Sequence, residues 1–185
     1  MKYIQMNYEK PVPSHSATKD EFIRWRFNEI SSYEEIIKEL ASIVYDGQKA
    51  FTDDLSMELC IDAVNSVITK REFQHTLCTA INLDVLCENG MLLGPLQASV
   101  WEDRGTFGVD ETLISVAQIY GSIGVSNAYN LDKVKPGIIG KVDKLGKNTE
   151  YCHTFLDDML CAVAGSAMGK IAHSLDTGNP MVEIE

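Results

Sequence analysis

The stretch TFLDDMLCAVAGSAMGKIAH, residues 154–173, predicts one long and largely apolar helix. Thr154 lies three residues before Asp157, which is the spacing of a capping box, so we expect the helix to begin there. Small residues, including Gly165 and Gly169, allow neighbouring helices to approach it closely. The predicted buried positions are Met159, Leu160, Val163, Ala164, Ala167, Met168 and Ile171. We therefore place this helix at the centre of the fold.

The rest of the chain is also patterned for helices. The predicted helix starts are Thr18, Ser31, the segment between Thr52 and Ser56, Thr69, Pro95 and Asp110. Three of them are capping pairs, such as Thr18 with Glu21. No regular alternation of strands with helices is visible. We predict an all-α fold, a single compact multi-helix domain in which about five other helices surround the central one.

The chain divides into three parts. Residues 1–17 contain two prolines and are predicted to form an N-terminal arm, in which the alternation at residues 2–6 also suits a short strand. Residues 18–178 are predicted to form the helical domain, and residues 179–185 a C-terminal tail. The length of 185 residues is enough for one domain with a sizeable core.

The composition narrows the class of protein. The chain has 16 basic and 27 acidic residues, a formal net charge of -11, which argues against nucleic acid and against tight docking on an anionic bilayer. No window approaches the roughly eighteen uninterrupted apolar residues of a transmembrane segment, so we expect at most peripheral membrane contact. The five cysteines lack CxxC spacing and the first residues do not resemble a signal peptide, so we expect reduced thiols and a cytoplasmic protein.

Carboxylates and one lysine are concentrated near the C-terminal helices. The residues are Asp110, Glu111, Asp132, Lys135, Asp157 and Asp158. Carboxylate oxygens are hard ligands that suit Mg²⁺, and a lysine beside them is a common binding charge for phosphate. Each acid also has a simpler explanation, either as a residue at a helix start or as a surface ion pair between Asp132 and Lys135.

The spacing of the acids makes the metal hypothesis a geometric one. Asp110 and Asp132 are 22 residues apart along the chain. In an unbroken helix that spacing separates them by about 33 Å, too far to share a metal ion. A reversal of the chain near Gly121 and Gly124 brings them to the same end. The hypothesis therefore requires a bend at these glycines, or a partner chain that supplies the missing ligands.

Four short motifs resemble the signatures of a known family. They are GVDE at residues 108–111, YGSIG at 120–124, DKVKPGI at 132–138 and CHTFLDD at 152–158. Their order resembles phosphatidylglycerophosphatase A, and the match is closer to the soluble branch of that family, which includes low temperature requirement C and YutG-like proteins. The resemblance covers roughly residues 70–173 and does not extend to residues 1–50.

The resemblance implies removal of the terminal phosphate of phosphatidylglycerophosphate, with Mg²⁺ or Mn²⁺ as cofactor. The implied metal ligands are Asp110, Glu111, Asp132, Asp157 and Asp158. Asp132 and Asp158 are also expected to act in catalysis, Lys135 to neutralise the leaving phosphate, and His153 to donate to the phosphate or act as an acid. The substrate is then a phosphate ester or a phospholipid head group.

The chain departs from the membrane-bound members of that family in ways that leave alternatives open. It lacks their transmembrane helices and their glycine-rich upstream segment, so a soluble phosphate ester is also a candidate substrate. A second hypothesis is a non-catalytic regulatory module that binds a metal or a phosphate. A third is a homo-oligomer in which the small residues of the last helix form the subunit interface and the acids are merely solvated.

Overall fold

The computed structural model describes residues 12–146 and 150–176, and within these residues the regular structure is helical, without strands. The helices are α1 Lys19–Ile30, α2 Tyr33–Gln48, α3 Met57–Thr69, α4 Arg71–Glu88, α5 Leu96–Trp101, α6 Val109–Ile114, a 3₁₀ helix Ser115–Tyr120, α7 Gly121–Val134, α8 Gly137–Gly146 and α9 Leu156–Asp176. The predicted all-α class is confirmed. The strand suggested at residues 2–6 and the tail at 179–185 lie outside the described residues.

The predicted central helix is α9. It packs against α2, α3, α4, α6, α7 and α8, and all residues from 152 to 169 are buried. A helix that is apolar on every side is stable only when other helices surround it. Among the described residues, no helix is both long enough and apolar enough to cross a membrane.

The closest helix packing in the fold joins α9 to α7. A Cβ atom on Gly165 would lie 2.5 Å from the backbone nitrogen of Ala128 and 2.7 Å from the carbonyl oxygen of Gly124. The glycine therefore allows direct contact between the two backbones. Because the small residues are buried against α7 of the same chain, they are not available as the subunit interface of the third hypothesis.

Replacing Gly165 by alanine is expected to lower the free energy of unfolding by about 1–3 kcal/mol, because the added methyl group meets backbone atoms that cannot rotate away. Urea denaturation followed by circular dichroism measures the change. The matched control is Gly105→Ala, because a Cβ atom there meets no atom within 4 Å. Equal stabilities of the two variants would contradict this description of the α7–α9 contact.

Of the three predicted capping pairs, one is present as predicted. Thr18 and Glu21 form the expected capping box of α1. The start predicted at Ser31 is wrong by one residue, because the side chain of Ser32 caps α2. The cap predicted at Thr69 is wrong, because its hydroxyl donates to the carbonyl oxygen of Asn65 (2.8 Å) and so belongs to the end of α3.

The required bend is present between α6 and α7. The chain tightens into the 3₁₀ helix and then turns at Gly121, whose φ of +75° favours glycine. Gly124 follows, and a Cβ atom there would lie 2.7 Å from the carbonyl oxygen of Ala117. The two segments then run back along each other, so that the hydroxyl of Tyr129 donates to the carbonyl oxygen of Glu111 at 3.3 Å.

Candidate metal and phosphate site

The bend brings the predicted acids to one cavity of about 250 Å³. Its lining residues are Asp103, Arg104, Gly105, Asp110, Glu111, Asp132, Lys135, Thr154, Asp157 and Asp158. Asp110 comes from the start of α6, Asp132 from the end of α7, and Asp157 from the start of α9. The structure therefore unites all five predicted metal ligands and the predicted phosphate-binding lysine within one chain.

Lys135 is positioned by an unusual backbone conformation. It follows α7 with φ +45° and ψ +61°, the left-handed region that non-glycine residues rarely adopt, and Pro136 prevents the helix from continuing. Its Nζ lies 2.6 Å from Asp157, 3.0 Å from Asp143 and 3.7 Å from Asp132. Burial lowers the pKa of Lys135, but the carboxylates of Asp157 and Asp143 together outweigh burial, and the net pKa is raised. Lys135 is therefore a fixed positive charge.

Asp158 is a buried acid without a countercharge in direct contact. Its exposed fraction is 3%, and within the described part of the chain no hydrogen bond or ion pair reaches its carboxylate. One oxygen of Asp158, one oxygen of Asp132 and the Sγ atom of Cys161 lie within 4.8 Å of one another. Burial, followed by the charges of the neighbouring acids, raises the pKa of Asp158 to about 9.

Two neighbouring acids of the cavity also have raised pKa values. Burial raises the pKa of Asp110 to about 6, although the backbone N–H of Glu111, which donates to this carboxylate, opposes the shift. Burial raises the pKa of Asp157 to about 7, although Lys135 opposes the shift. The six carboxylates that line the cavity outnumber its two basic side chains, Lys135 and Arg104, so the donor set fits a divalent cation that prefers oxygen ligands.

Comparison with known proteins identifies the family of this chain. Residues 39–173 match the sequence model of the family described as Phosphatidylglycerophosphatase A. The chain belongs to the phosphatidylglycerophosphatase A family. It is 42% identical to the uncharacterized protein YutG of Bacillus subtilis over 138 residues, which is 74% of this chain and 82% of YutG. The family resemblance inferred from the four motifs is confirmed, but its predicted start near residue 70 is wrong, because the family match begins at residue 39.

Solved structures of family relatives have the same fold. The low temperature requirement C protein of Listeria monocytogenes is 37% identical, with a TM-score of 0.77, and the match covers 86% of this chain and 98% of that protein. The protein ypjQ of Bacillus subtilis is 34% identical, with a TM-score of 0.77, and the match covers 88% and 100%. The phosphatidylglycerophosphatase A fold is thus established for this chain.

The raised pKa values predict how stability depends on pH without metal. An acid whose pKa is raised in the folded state binds its proton more tightly there, so the free energy of unfolding should fall as the pH rises from about 4 to about 9. Asp158→Asn removes the largest of these three pKa shifts. At pH 8 in EDTA, we expect its melting temperature to exceed that of the wild type by about 2–4 °C for each kcal/mol regained. A parallel pH dependence in both proteins would contradict the assignment.

Asp84 is a site-positioning residue that the sequence did not reveal. The fully buried carboxylate accepts the backbone N–H groups of Phe155 (3.1 Å) and Leu156 (3.0 Å). It therefore caps α9 from a distant helix. Thr154 was predicted to cap α9 together with Asp157, but its hydroxyl donates to the carbonyl oxygen of Val100 at 2.6 Å, so that prediction is wrong.

A buried ion pair holds the segment before α9. The guanidinium of Arg26 lies 2.6 Å from Glu88 and donates to the carbonyl oxygen of Cys152 at 2.7 Å. The backbone N–H of Cys152 donates in turn to Glu88 at 2.8 Å. In the sequence, both residues are charged positions within helices that also carry apolar residues, which is a sign of burial. Their separation of 62 residues gives no indication that they pair with each other.

His153 belongs to this buried cluster and not to the cavity lining. Its ring stacks on Tyr151 with 5.9 Å between centroids, and Nδ1 lies 3.4 Å from the guanidinium of Arg26. It is buried, whereas an acid that serves the substrate must reach the cavity. The position therefore offers no support for the predicted role of His153 as a phosphate donor or acid.

Proposed function

We propose that this protein is a Mg²⁺-dependent phosphatase that hydrolyses phosphatidylglycerophosphate or a related phosphate monoester. One observation carries the proposal. The buried Asp158 carboxylate has no countercharge in contact, and it lines a cavity with five other acids, one lysine and one arginine. Such a site needs a cation to be stable when ionised. Membership of the phosphatidylglycerophosphatase A family supports the choice of reaction.

We assign metal binding to the carboxylates. The residues that would hold it are Asp110, Glu111, Asp132, Asp157 and Asp158, and the donor set suits Mg²⁺ or Mn²⁺. When bound, the ion would supply positive charge for the phosphate oxygens and a more acidic bound water. The three helix ends that meet here fix the acids before substrate arrives, because α6, α7 and α9 are packed against each other.

We assign binding of the substrate phosphate to Lys135. Its ammonium group is held at the cavity by Asp157 and Asp143, which leaves a directed donor beside the acids. A point charge at that place favours the ester's phosphate and the charge that develops on the leaving oxygen. We assign to Asp132, which is more exposed than Asp157, the role of accepting the proton of an attacking water. These assignments require no covalent enzyme intermediate.

The test is phosphate release by the purified full chain. Phosphatidylglycerophosphate in detergent micelles and soluble glycerol 3-phosphate are compared, each with Mg²⁺ and with EDTA. We expect Mg²⁺-dependent release from at least one of them, and the comparison identifies a lipid or a soluble substrate. Absence of release from a broad panel of phosphate esters would contradict the proposal. If Mg²⁺ or phosphate then raises the melting temperature without turnover, the protein is the non-catalytic binding module.

A further inference from the structure

The thiol of Cys161 lies next to the acid cavity. Cys161 is fully buried and follows Asp158 by three residues on α9, so the two side chains occupy one face of the helix. Its Sγ atom lies within 4.8 Å of an oxygen of Asp158 and of an oxygen of Asp132. The described residues supply no hydrogen bond to this sulfur. Three possible metal donors thus converge from α7 and α9.

The dimensions fit a small divalent ion. Zinc binds sulfur at about 2.3 Å and carboxylate oxygen at about 2.0–2.2 Å, so in its tetrahedral geometry two donors are about 3.4–3.6 Å apart. The three donor atoms lie within 4.8 Å of one another, so a small rotation of the side chains would bring them to this spacing. The unpartnered carboxylate of Asp158 is a second, independent sign that this position takes a cation.

We propose that Cys161 makes this site a binding site for thiophilic divalent ions, with Asp132, Asp158 and the Cys161 thiolate as direct ligands of Zn²⁺ or Co²⁺. The inference rests on the proposed function only in that it shares these two acids with the Mg²⁺ site. Binding forms a metal–sulfur bond and releases the thiol proton to the solvent. Mg²⁺ has no affinity for sulfur, whereas Zn²⁺ and Co²⁺ do. Zn²⁺ should therefore displace Mg²⁺ and inhibit any Mg²⁺-dependent turnover.

Cobalt titration of the metal-free full chain tests the proposal. We expect a sulfur-to-cobalt charge-transfer band in the near ultraviolet that saturates at one equivalent. Cys161→Ser and Cys161→Ala should lose the band and bind Co²⁺ at least about tenfold more weakly. Cys60→Ser is the matched control, because Cys60 is an equally buried thiol on α3 outside this cluster, and it should keep the band.

Each result decides the question. Three results would overturn the inference. The wild type could bind no Co²⁺, or it could bind Co²⁺ without the band. The third result is a band that persists in folded Cys161→Ala. If both Cys161 variants fail to fold, Asp158→Asn serves instead, because it should weaken the band while the cysteine remains. The proposed function can fail independently of this inference. If the wild type shows the cobalt band but releases no phosphate with Mg²⁺, the metal site stands and the phosphatase function fails. If the wild type is an active phosphatase without the band, the function stands and the cysteine-containing metal site fails.

Discussion

Asp158→Asn is expected to lower Mg²⁺-dependent phosphate release by at least about a hundredfold. The side chain is 3% exposed, lies beside Asp132 and meets no cation in direct contact, so its negative charge has no structural partner to stabilise. Asparagine has nearly the same shape but only one oxygen and no charge. The metal should therefore be lost while the fold remains, and initial rates at saturating Mg²⁺ measure the loss.

The control for this substitution is Asp62→Asn, which removes an exposed acid on α3 that is not part of the cavity lining. Its rate should stay within about twofold of the wild type, because the effect of an exposed charge is screened by water and salt. Melting curves of both variants establish that each is folded. Retained activity in folded Asp158→Asn would remove Asp158 from the proposed metal site.

Arg26→Met is expected to lower the free energy of unfolding by about 3–5 kcal/mol, because removal of one partner from a buried ion pair leaves an uncompensated charge. Arg26 is fully buried, and its guanidinium contacts Glu88 at 2.6 Å, Glu29 at 3.0 Å and the carbonyl oxygen of Cys152 at 2.7 Å. The melting temperature should fall by about 2–4 °C for each kcal/mol lost.

Arg24→Met is the matched control on the same helix. Arg24 makes an ion pair with Asp20 at 2.7 Å, but both side chains are 44% exposed, so the expected cost is below about 1 kcal/mol. The double variant Arg26→Met with Glu88→Gln should recover part of the loss, because no buried charge is then left alone. An equal cost for Arg24→Met and Arg26→Met would contradict the role given to the buried pair.

The features that the sequence predicted correctly depend on local or periodic signals. The apolar pattern of residues 154–173 identifies the central helix, because a helix apolar on every side must be enclosed. Gly121 marks the bend, because only glycine readily adopts its positive φ. Once that bend is known, Asp110 and Asp132 must approach each other, and the structure places both at one cavity.

The features that the sequence missed depend on partners far apart in the chain. Thr154 has the spacing of a cap, yet Asp84 is the group that accepts the first N–H bonds of α9. The residues next to the start of α9 do not show whether Thr154 or Asp84 caps the helix, because Asp84 lies on α4, about 70 residues earlier in the chain. The same reason applies to Arg26 and Glu88, whose pairing draws His153 into a buried cluster away from the cavity.

The Mg²⁺ dependence of phosphate release by the wild-type chain tests the central claim most directly. The measurement is the initial rate of inorganic phosphate release from phosphatidylglycerophosphate in mixed micelles, as Mg²⁺ is added to protein first stripped with EDTA. We predict no release before addition, a saturable rise with Mg²⁺, and a return to zero when EDTA is restored in excess. A rate that EDTA leaves unchanged would contradict a mechanism built on the five carboxylates proposed as metal ligands.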